Sequence, residues 1–94
     1  MSVRTHTAVL SVSPATGTWR VFVTVPKTVG PWPEHVIGTR QIPVPAARTA
    51  ALALLGYEGV EGAEWQWCED TTDHGGPVRL LAGLAVRERA GGVA

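Results

Sequence analysis

The sequence has a single cysteine and no long apolar run. Cys68 cannot form a disulfide within the chain, and no stretch approaches the ~20 apolar residues of a transmembrane helix. Residues 1–12 alternate polar and apolar side chains, so they lack the continuous apolar core of a secretory signal peptide. These absences predict a cytoplasmic protein that does not enter a membrane.

The chain also lacks the short motifs that identify many enzymes. It contains no glycine-rich phosphate-binding loop, no nucleophile elbow and no Cys/His zinc pattern. His6, His35 and His74 lie on three separate predicted elements. Cys68 has no neighbour that would activate it as a nucleophile, and a lone strand cysteine is more typical of packing. We therefore predict a protein that is not an enzyme and that uses no cofactor.

The chain has no net charge, but its charged residues are distributed unevenly along the sequence. Eight Lys and Arg residues balance eight Asp and Glu residues, which argues against strong general affinity for nucleic acid or anionic membranes. Residues 1–48 carry five bases and one acid (+4), residues 49–78 carry six acids and no base (−6), and the remaining residues carry +2. Either these parts neutralise each other within the fold, or they meet between subunits or on a partner.

Alternating apolar residues predict strands in both halves of the chain. Residues 5–13 and 18–25 flank a turn that contains proline and glycine, a pattern typical of a β-hairpin. Residues 63–69 and 78–88 predict two further strands. One face of the last strand contains Val78, Leu80, Ala82, Leu84 and Val86.

One helix is predicted over residues 45–56, and it has almost no charged face. Pro45 suits the first turn, and Gly56 suits the left-handed position that ends a helix. Arg48 is its only charged residue, whereas a surface helix normally carries a solvated polar side. The side expected to face the sheet contains Ala47, Ala50, Ala51, Leu54 and Leu55, and the opposite side contains Thr49, Leu52 and Ala53.

These elements predict one α+β domain over residues 1–94, with residues 90–94 as a frayed tail. The order is β-β-(β)-α-β-β, where the bracketed strand falls within residues 35–42. We expect a mostly antiparallel sheet of four to five strands with one helix packed on one face. The expected core contains Val21, Val23, Leu54, Trp65, Leu80 and Leu84. The outer face of the sheet also contains apolar residues: Val9, Phe22, Leu81 and Ala85. Together with the charge-poor helix, they give more apolar surface than one helix can cover.

The four tryptophans allow two interpretations. Trp65 and Trp67, with Trp19 opposite, form either a core cluster under the helix or a platform that stacks nucleobases. Acidic neighbours argue against nucleic acid at this strand. The rigid segment 31–35 either presents Trp32 to a partner or folds it back onto the edge of the sheet.

One group of metal-ligating residue types lies near the predicted loop 70–77. Glu69, Asp70, Asp73 and His74 offer oxygen and imidazole ligands for a divalent cation. Their spacing matches neither a calcium loop nor a zinc pattern, and a solvated loop is the alternative. We predict no metal site there.

Several segments together resemble a known family. They are Thr5-His6-Thr7-Ala8, Trp32-Pro33-Glu34-His35, Leu54-Leu55-Gly56-Tyr57, the run from Glu61 to Trp67, and Pro77-Val78-Arg79-Leu80. Together they resemble a family of small uncharacterised proteins from high-GC Gram-positive bacteria. That resemblance implies a single domain and no catalytic residues. By element order alone, the chain also resembles the partial ribonuclease-H-like fold of HicB-type antitoxins, which is weak evidence for function.

We therefore expect a non-catalytic protein-interaction or regulatory module that forms a homodimer and has an unknown protein partner. The expected partner-binding residues are Phe22, Trp32, Pro33, His35 and Leu52. The alternative is a nucleic-acid-associated regulator of the antitoxin kind. Its phosphate contacts would come from Arg4, Arg20, Lys27, Arg40 and Arg48. A hydrolase or metal enzyme that uses the loop from Glu69 to His74 is the least favoured alternative.

Overall fold

The computed structural model describes residues 5–13, 15–25, 31–71 and 78–89. These ranges contain the strands β1 (His6–Val12), β2 (Trp19–Thr24), β3 (Glu34–Val36), β4 (Tyr57–Gly59), β5 (Gln66–Thr71) and β6 (Val78–Glu88), and the helix α1 (Pro45–Leu55). The predicted class, an antiparallel sheet with one helix packed on it, is confirmed. Within the described residues, no helix is long and apolar enough to cross a membrane. The predicted tail at residues 90–94 lies outside these ranges.

The strands form one sheet in the order β3-β2-β1-β6-β4, and β5 also pairs with β6. Every pairing is antiparallel. One edge of β6 pairs with β1, and its other edge pairs with β5 near the start and β4 near the end. Six strands exceed the predicted four to five. The sequence does not predict β4, because a three-residue strand is too short to show alternation.

The predicted β1–β2 hairpin is confirmed. Its register pairs Ala8 with Val23 and Val12 with Trp19. The Ser13 amide donates to the Thr18 carbonyl at 2.8 Å. Gly17 closes the turn with a φ of 74°, a left-handed conformation that favours glycine. The hairpin therefore places alternate apolar residues of both strands on one inner face.

The core lies between this inner face and α1. Its buried residues are Ala8, Leu10, Trp19, Val21, Val23, Ala51, Leu52, Tyr57, Ala82, Leu84 and Val86. Three predicted core residues, Val21, Val23 and Leu84, are therefore confirmed. Trp65 is partly buried and packs against the cluster. The other two, Leu54 and Leu80, are 72% and 43% exposed, so their prediction as core residues is wrong.

The predicted rotation of the helix was wrong. Leu52 is only 3% exposed, whereas Leu54 points to solvent. An almost uniformly apolar helix gives little information about which side is buried. The connection to β4 decides it instead: Gly56 ends the helix with a φ of 89°, and buried Tyr57 follows directly. This sharp return holds the last turn of α1 over the β4 end of the sheet.

Leu80 was predicted on the correct face of β6, but the helix does not reach it. Leu80 pairs with Glu69 at the far end of the β5–β6 hairpin. The helix lies on β2, β3 and β4 instead. The later inward residues of β6, Ala82, Leu84 and Val86, are buried. The alternation predicted the face, and the position of α1 decided the burial.

Arg48 is the helix's only charged residue, and it contacts aromatic rings. Its Cζ lies 5.9 Å from the ring centroid of Trp65 and 5.4 Å from that of Trp67. Its Nε donates a 2.8 Å hydrogen bond to the Pro43 carbonyl. Trp67 in turn packs edge-to-face on Trp19 at 6.1 Å. These contacts link α1 to the tryptophan cluster and favour the core interpretation of the cluster.

One confirmed core leucine, Leu84, and one corrected leucine, Leu54, give a direct test of the helix position. Leu84→Ala should lower the free energy of unfolding by about 2–5 kcal/mol, because it leaves a cavity in the core. Leu54→Ala should change it by less than about 0.5 kcal/mol, because that side chain is exposed. Urea denaturation of both variants measures the difference. Equal losses would contradict the observed rotation of the helix.

Tyr57 should make stability fall at high pH. Burial, and then the nearby Glu88 carboxylate, raise the pKa of Tyr57 above its usual 10.0. The unfolded chain therefore ionises first, so the stabilisation is complete below pH 10 and is lost as the pH rises toward the folded pKa. Because Tyr57 is the only tyrosine, Tyr57→Phe should flatten this decline. Denaturation between about pH 8.5 and 11 tests it; an equally steep decline in both proteins would contradict it.

Candidate functional site

The pairing of β2 with β3 places one predicted partner-binding residue, Phe22, among four side chains on the outer face of the sheet. The register pairs Arg20 with Val36 and Phe22 with Glu34. Because side chains alternate along a strand, these four residues lie on the face opposite the core. With Trp32 they form what we call the outer-face cluster: Arg20, Phe22, Trp32, Glu34 and Val36.

Trp32 folds back onto the sheet but remains accessible. Its ring stacks on Phe22 with a centroid distance of 6.2 Å and an interplanar angle of 11°. Its Nε1 donates a 3.0 Å hydrogen bond to the Val25 carbonyl. The side chain is nevertheless 46% exposed. The interpretation that Trp32 folds back onto the sheet is therefore confirmed. Its presentation to a partner stays a prediction.

Arg20 adds a charged group to the aromatic pair. Its Cζ lies 5.5 Å from the Phe22 ring centroid, and its Nη1 lies 3.0 Å from Oε2 of Glu34. The Arg20 Nε is buried and has no hydrogen-bond partner. A shallow cavity of about 300 Å³ lies over this group, between Pro31 and Trp32 on one side and the ion pair on the other. The cluster thus offers an aromatic surface beside charges of both signs.

The structure divides the predicted partner-binding residues. Phe22 and Trp32 lie together, and the carbonyl of partly buried Pro33 accepts a 3.0 Å hydrogen bond from the Val23 amide. His35 pairs with Val21 and therefore lies on the inner face, away from the cluster. Leu52 is buried in the core. The expectation that Leu52 faces outward is wrong, because the helix is rotated relative to the prediction.

The sequence analysis missed Arg20, Glu34 and Val36 as members of this site. The predicted third strand began at residue 35, and the real one begins at Glu34. Because the predicted strand began one residue too late, Glu34 was not assigned to a face of the sheet. The alternation in β2 already put Arg20 and Phe22 on one face, and that signal was available.

No metal centre is found among the residues that the structure describes. The described residues contain no group of three or more His, Cys, Asp or Glu side chains that could hold a metal ion. Two of the four residues that we considered for a cation, Asp73 and His74, lie outside the described ranges. Cys68 is free and exposed on β5, opposite Leu81 of β6.

Comparison with known proteins gives a family but no activity. A family model described as a family of unknown function, DUF6303, matches residues 4–94. The chain belongs to this family. No curated protein and no solved structure matches it. The resemblance to small uncharacterised proteins is confirmed to this extent, and an origin in high-GC Gram-positive bacteria stays a prediction.

The Arg20–Glu34 ion pair should contribute little to folding. Its side chains are 34% and 41% exposed, and exposed ion pairs are weak because water screens them. A double-mutant cycle with Arg20→Ala and Glu34→Ala should give a coupling free energy below about 1 kcal/mol. Thermal or urea denaturation measures the cycle. A coupling free energy of several kcal/mol would contradict this, because the ion pair would then contribute substantially to the stability of the fold.

Proposed function

We propose that this DUF6303 protein is a non-catalytic interaction module that forms a homodimer through the outer-face cluster. The supporting observation is an aromatic pair, Phe22 and Trp32, on a sheet face that no helix covers within the described part of the chain. Trp32 is 46% exposed, and Val36 beside it is 56% exposed. Accessible apolar patches of this kind mark interaction sites more often than inert surface.

The composition of the cluster suits a protein partner. Tryptophan and arginine are enriched among residues that contribute most to binding at protein interfaces. Trp32 is held by its stack on Phe22 and by its hydrogen bond to Val25. A side chain that is already held in place loses little conformational entropy on binding. Trp32 is therefore preorganised for binding.

Charge complementarity favours a second copy of the chain as that partner. A two-fold interface places the same patch of each subunit against the other, so the patch must complement itself. The outer-face cluster contains one cation, Arg20, and one anion, Glu34, on opposite strands. In a two-fold arrangement, each arginine meets the glutamate of the other subunit. The remaining contact is aromatic and aliphatic.

The antitoxin-like alternative receives less support. It requires basic side chains that are free to contact phosphates. Arg20 is paired with Glu34, and Arg48 is held between the Pro43 carbonyl and two tryptophan rings. Arg40 is exposed, whereas Arg4 and Lys27 lie outside the described residues. Two of the three described arginines proposed for phosphate contact are thus engaged within the chain.

The proposal includes a cytoplasmic location. Cys68 is a free and exposed thiol. The cytosol keeps such thiols reduced, whereas oxidising compartments favour disulfides. Binding to a further protein partner, and a regulatory role, belong to the same proposal.

Light scattering on the purified chain tests the dimer. At tens of micromolar protein we expect twice the 9.9 kDa mass of one chain. Val36→Glu should shift the mass to that of a monomer, because it adds a second carboxylate beside Glu34 and so unbalances the charges that must complement themselves across the interface. Val36 is more than half exposed, so the variant should fold, and circular dichroism verifies this.

Leu54→Glu is the matched control, because Leu54 is an exposed leucine on the helix. It should remain dimeric. Dissociation by Leu54→Glu and not by Val36→Glu would move the interface to the exposed side of α1. A wild-type mass of 9.9 kDa at all concentrations would overturn the homodimer.

A further inference from the structure

A second cavity lies on the other side of the sheet from the outer-face cluster. It has a volume of about 510 Å³ and is bordered by α1, β4, β6 and the segment that leads into β5. Cavities of roughly 300–1,000 Å³ are the usual size of small-molecule sites. Its apolar wall is formed by Leu52, Ala53, Tyr57, Ala63, Trp65 and Leu84.

Several side chains of the wall pack against other residues of the chain. Leu52 and Leu84 belong to the buried core. Tyr57 is buried and packs edge-to-face against His6 at 5.7 Å. Trp65 is held by Arg48, whose Cζ lies 5.9 Å from its ring centroid. Two aromatic rings are therefore fixed beside an apolar space, an arrangement that suits a flat apolar ligand.

One cationic side chain at the border of the cavity, Arg89, is not neutralised by another described residue. Two charged residues line it, Glu58 and Arg89. The Glu58 carboxylate is paired with Arg87 at 2.9 Å. Arg89 is exposed and forms no ion pair with the residues that the structure describes. The nearby Glu88 is exposed and is not part of the lining. A guanidinium that has no ion-pair partner among the described residues, beside a partly apolar cavity, favours a carboxylate, which it can bind with two hydrogen bonds.

We propose that this cavity binds a small aromatic carboxylate. The aromatic body occupies the space between Trp65, Tyr57 and Leu52. The carboxylate accepts hydrogen bonds from the Arg89 guanidinium. The site involves none of the residues of the outer-face cluster, so it stands or falls independently of the dimer.

Titration of the ¹⁵N-labelled chain with naphthalene-2-carboxylate tests the site. We expect saturable one-to-one binding with a dissociation constant below about 1 mM, a modest affinity for a ligand of this size. The largest shifts should fall on the amides of Ala53, Gly59 and Ala63. The neutral analogue 2-naphthalenemethanol should bind about tenfold more weakly, because it lacks the charge-assisted hydrogen bonds.

Two pairs of variants separate the aromatic and charged parts of the site. Ala53→Leu should fill the cavity and abolish binding, whereas Ala50→Leu, on the exposed side of the helix, should bind as wild type. Arg89→Gln should weaken the carboxylate about tenfold and leave the alcohol unchanged. Arg40→Gln, at an exposed loop arginine, should change neither.

Three results would overturn the proposal. One is the absence of saturable binding up to about 10 mM, well above the affinity expected. Another is unchanged affinity in folded Ala53→Leu. The third is a set of shifts centred on Phe22 and Val36, which would assign the ligand to the outer-face cluster. Arg89→Gln should fold normally because Arg89 is exposed, so its result remains informative if Ala53→Leu is unstable.

Discussion

The arrangement of this fold depends on β6, which pairs along both of its edges. Ala82 lies opposite Leu10 on one side and Trp67 on the other, and Val86 lies between His6 and Gly59. A slip of one residue in any of these pairings would turn a whole strand over. Because β6 is shared by three partners, its alternation decides which side chains of β1, β4 and β5 face inward. Both candidate surfaces follow from that choice, since each belongs to one face of the sheet.

The single helix covers only part of this long sheet. It lies on β2, β3 and β4, and Arg48 extends its contacts to Trp65 and Trp67. Arg48, the only charged residue of the helix, therefore needs no contact with a second subunit. Cation–aromatic contact and the hydrogen bond to Pro43 satisfy it within the chain. The part of the β5–β6 hairpin where Glu69 pairs with Leu80 extends past the helix. Leu80 is therefore exposed.

The sequence predicted features that depend on local alternation and failed on those that depend on tertiary contacts. The hairpin and the inward face of β6 were predictable, because strands half-buried on one face alternate strictly. The burial of Leu52 in place of Leu54 was not predictable, because both sides of α1 are apolar. Trp32 was recognisable as a candidate residue from its proline-rich surroundings. Its association with Arg20 required the register between β2 and β3, which the sequence does not specify.

The charge asymmetry of the chain bears on where two copies can meet. Among the described residues no ion pair joins residues 1–48 to residues 49–71; the two ion pairs are Arg20–Glu34 and Arg87–Glu58. The side chains of Glu69 and Asp70 remain exposed on β5, which pairs with β6 alone. Acidic side chains on an edge strand repel a second copy of the same edge. Self-association along β5 is therefore opposed, while the outer-face cluster, with one charge of each sign, complements itself. The acidic segment thus supports the outer face of the sheet, and not β5, as the interface of the proposed homodimer.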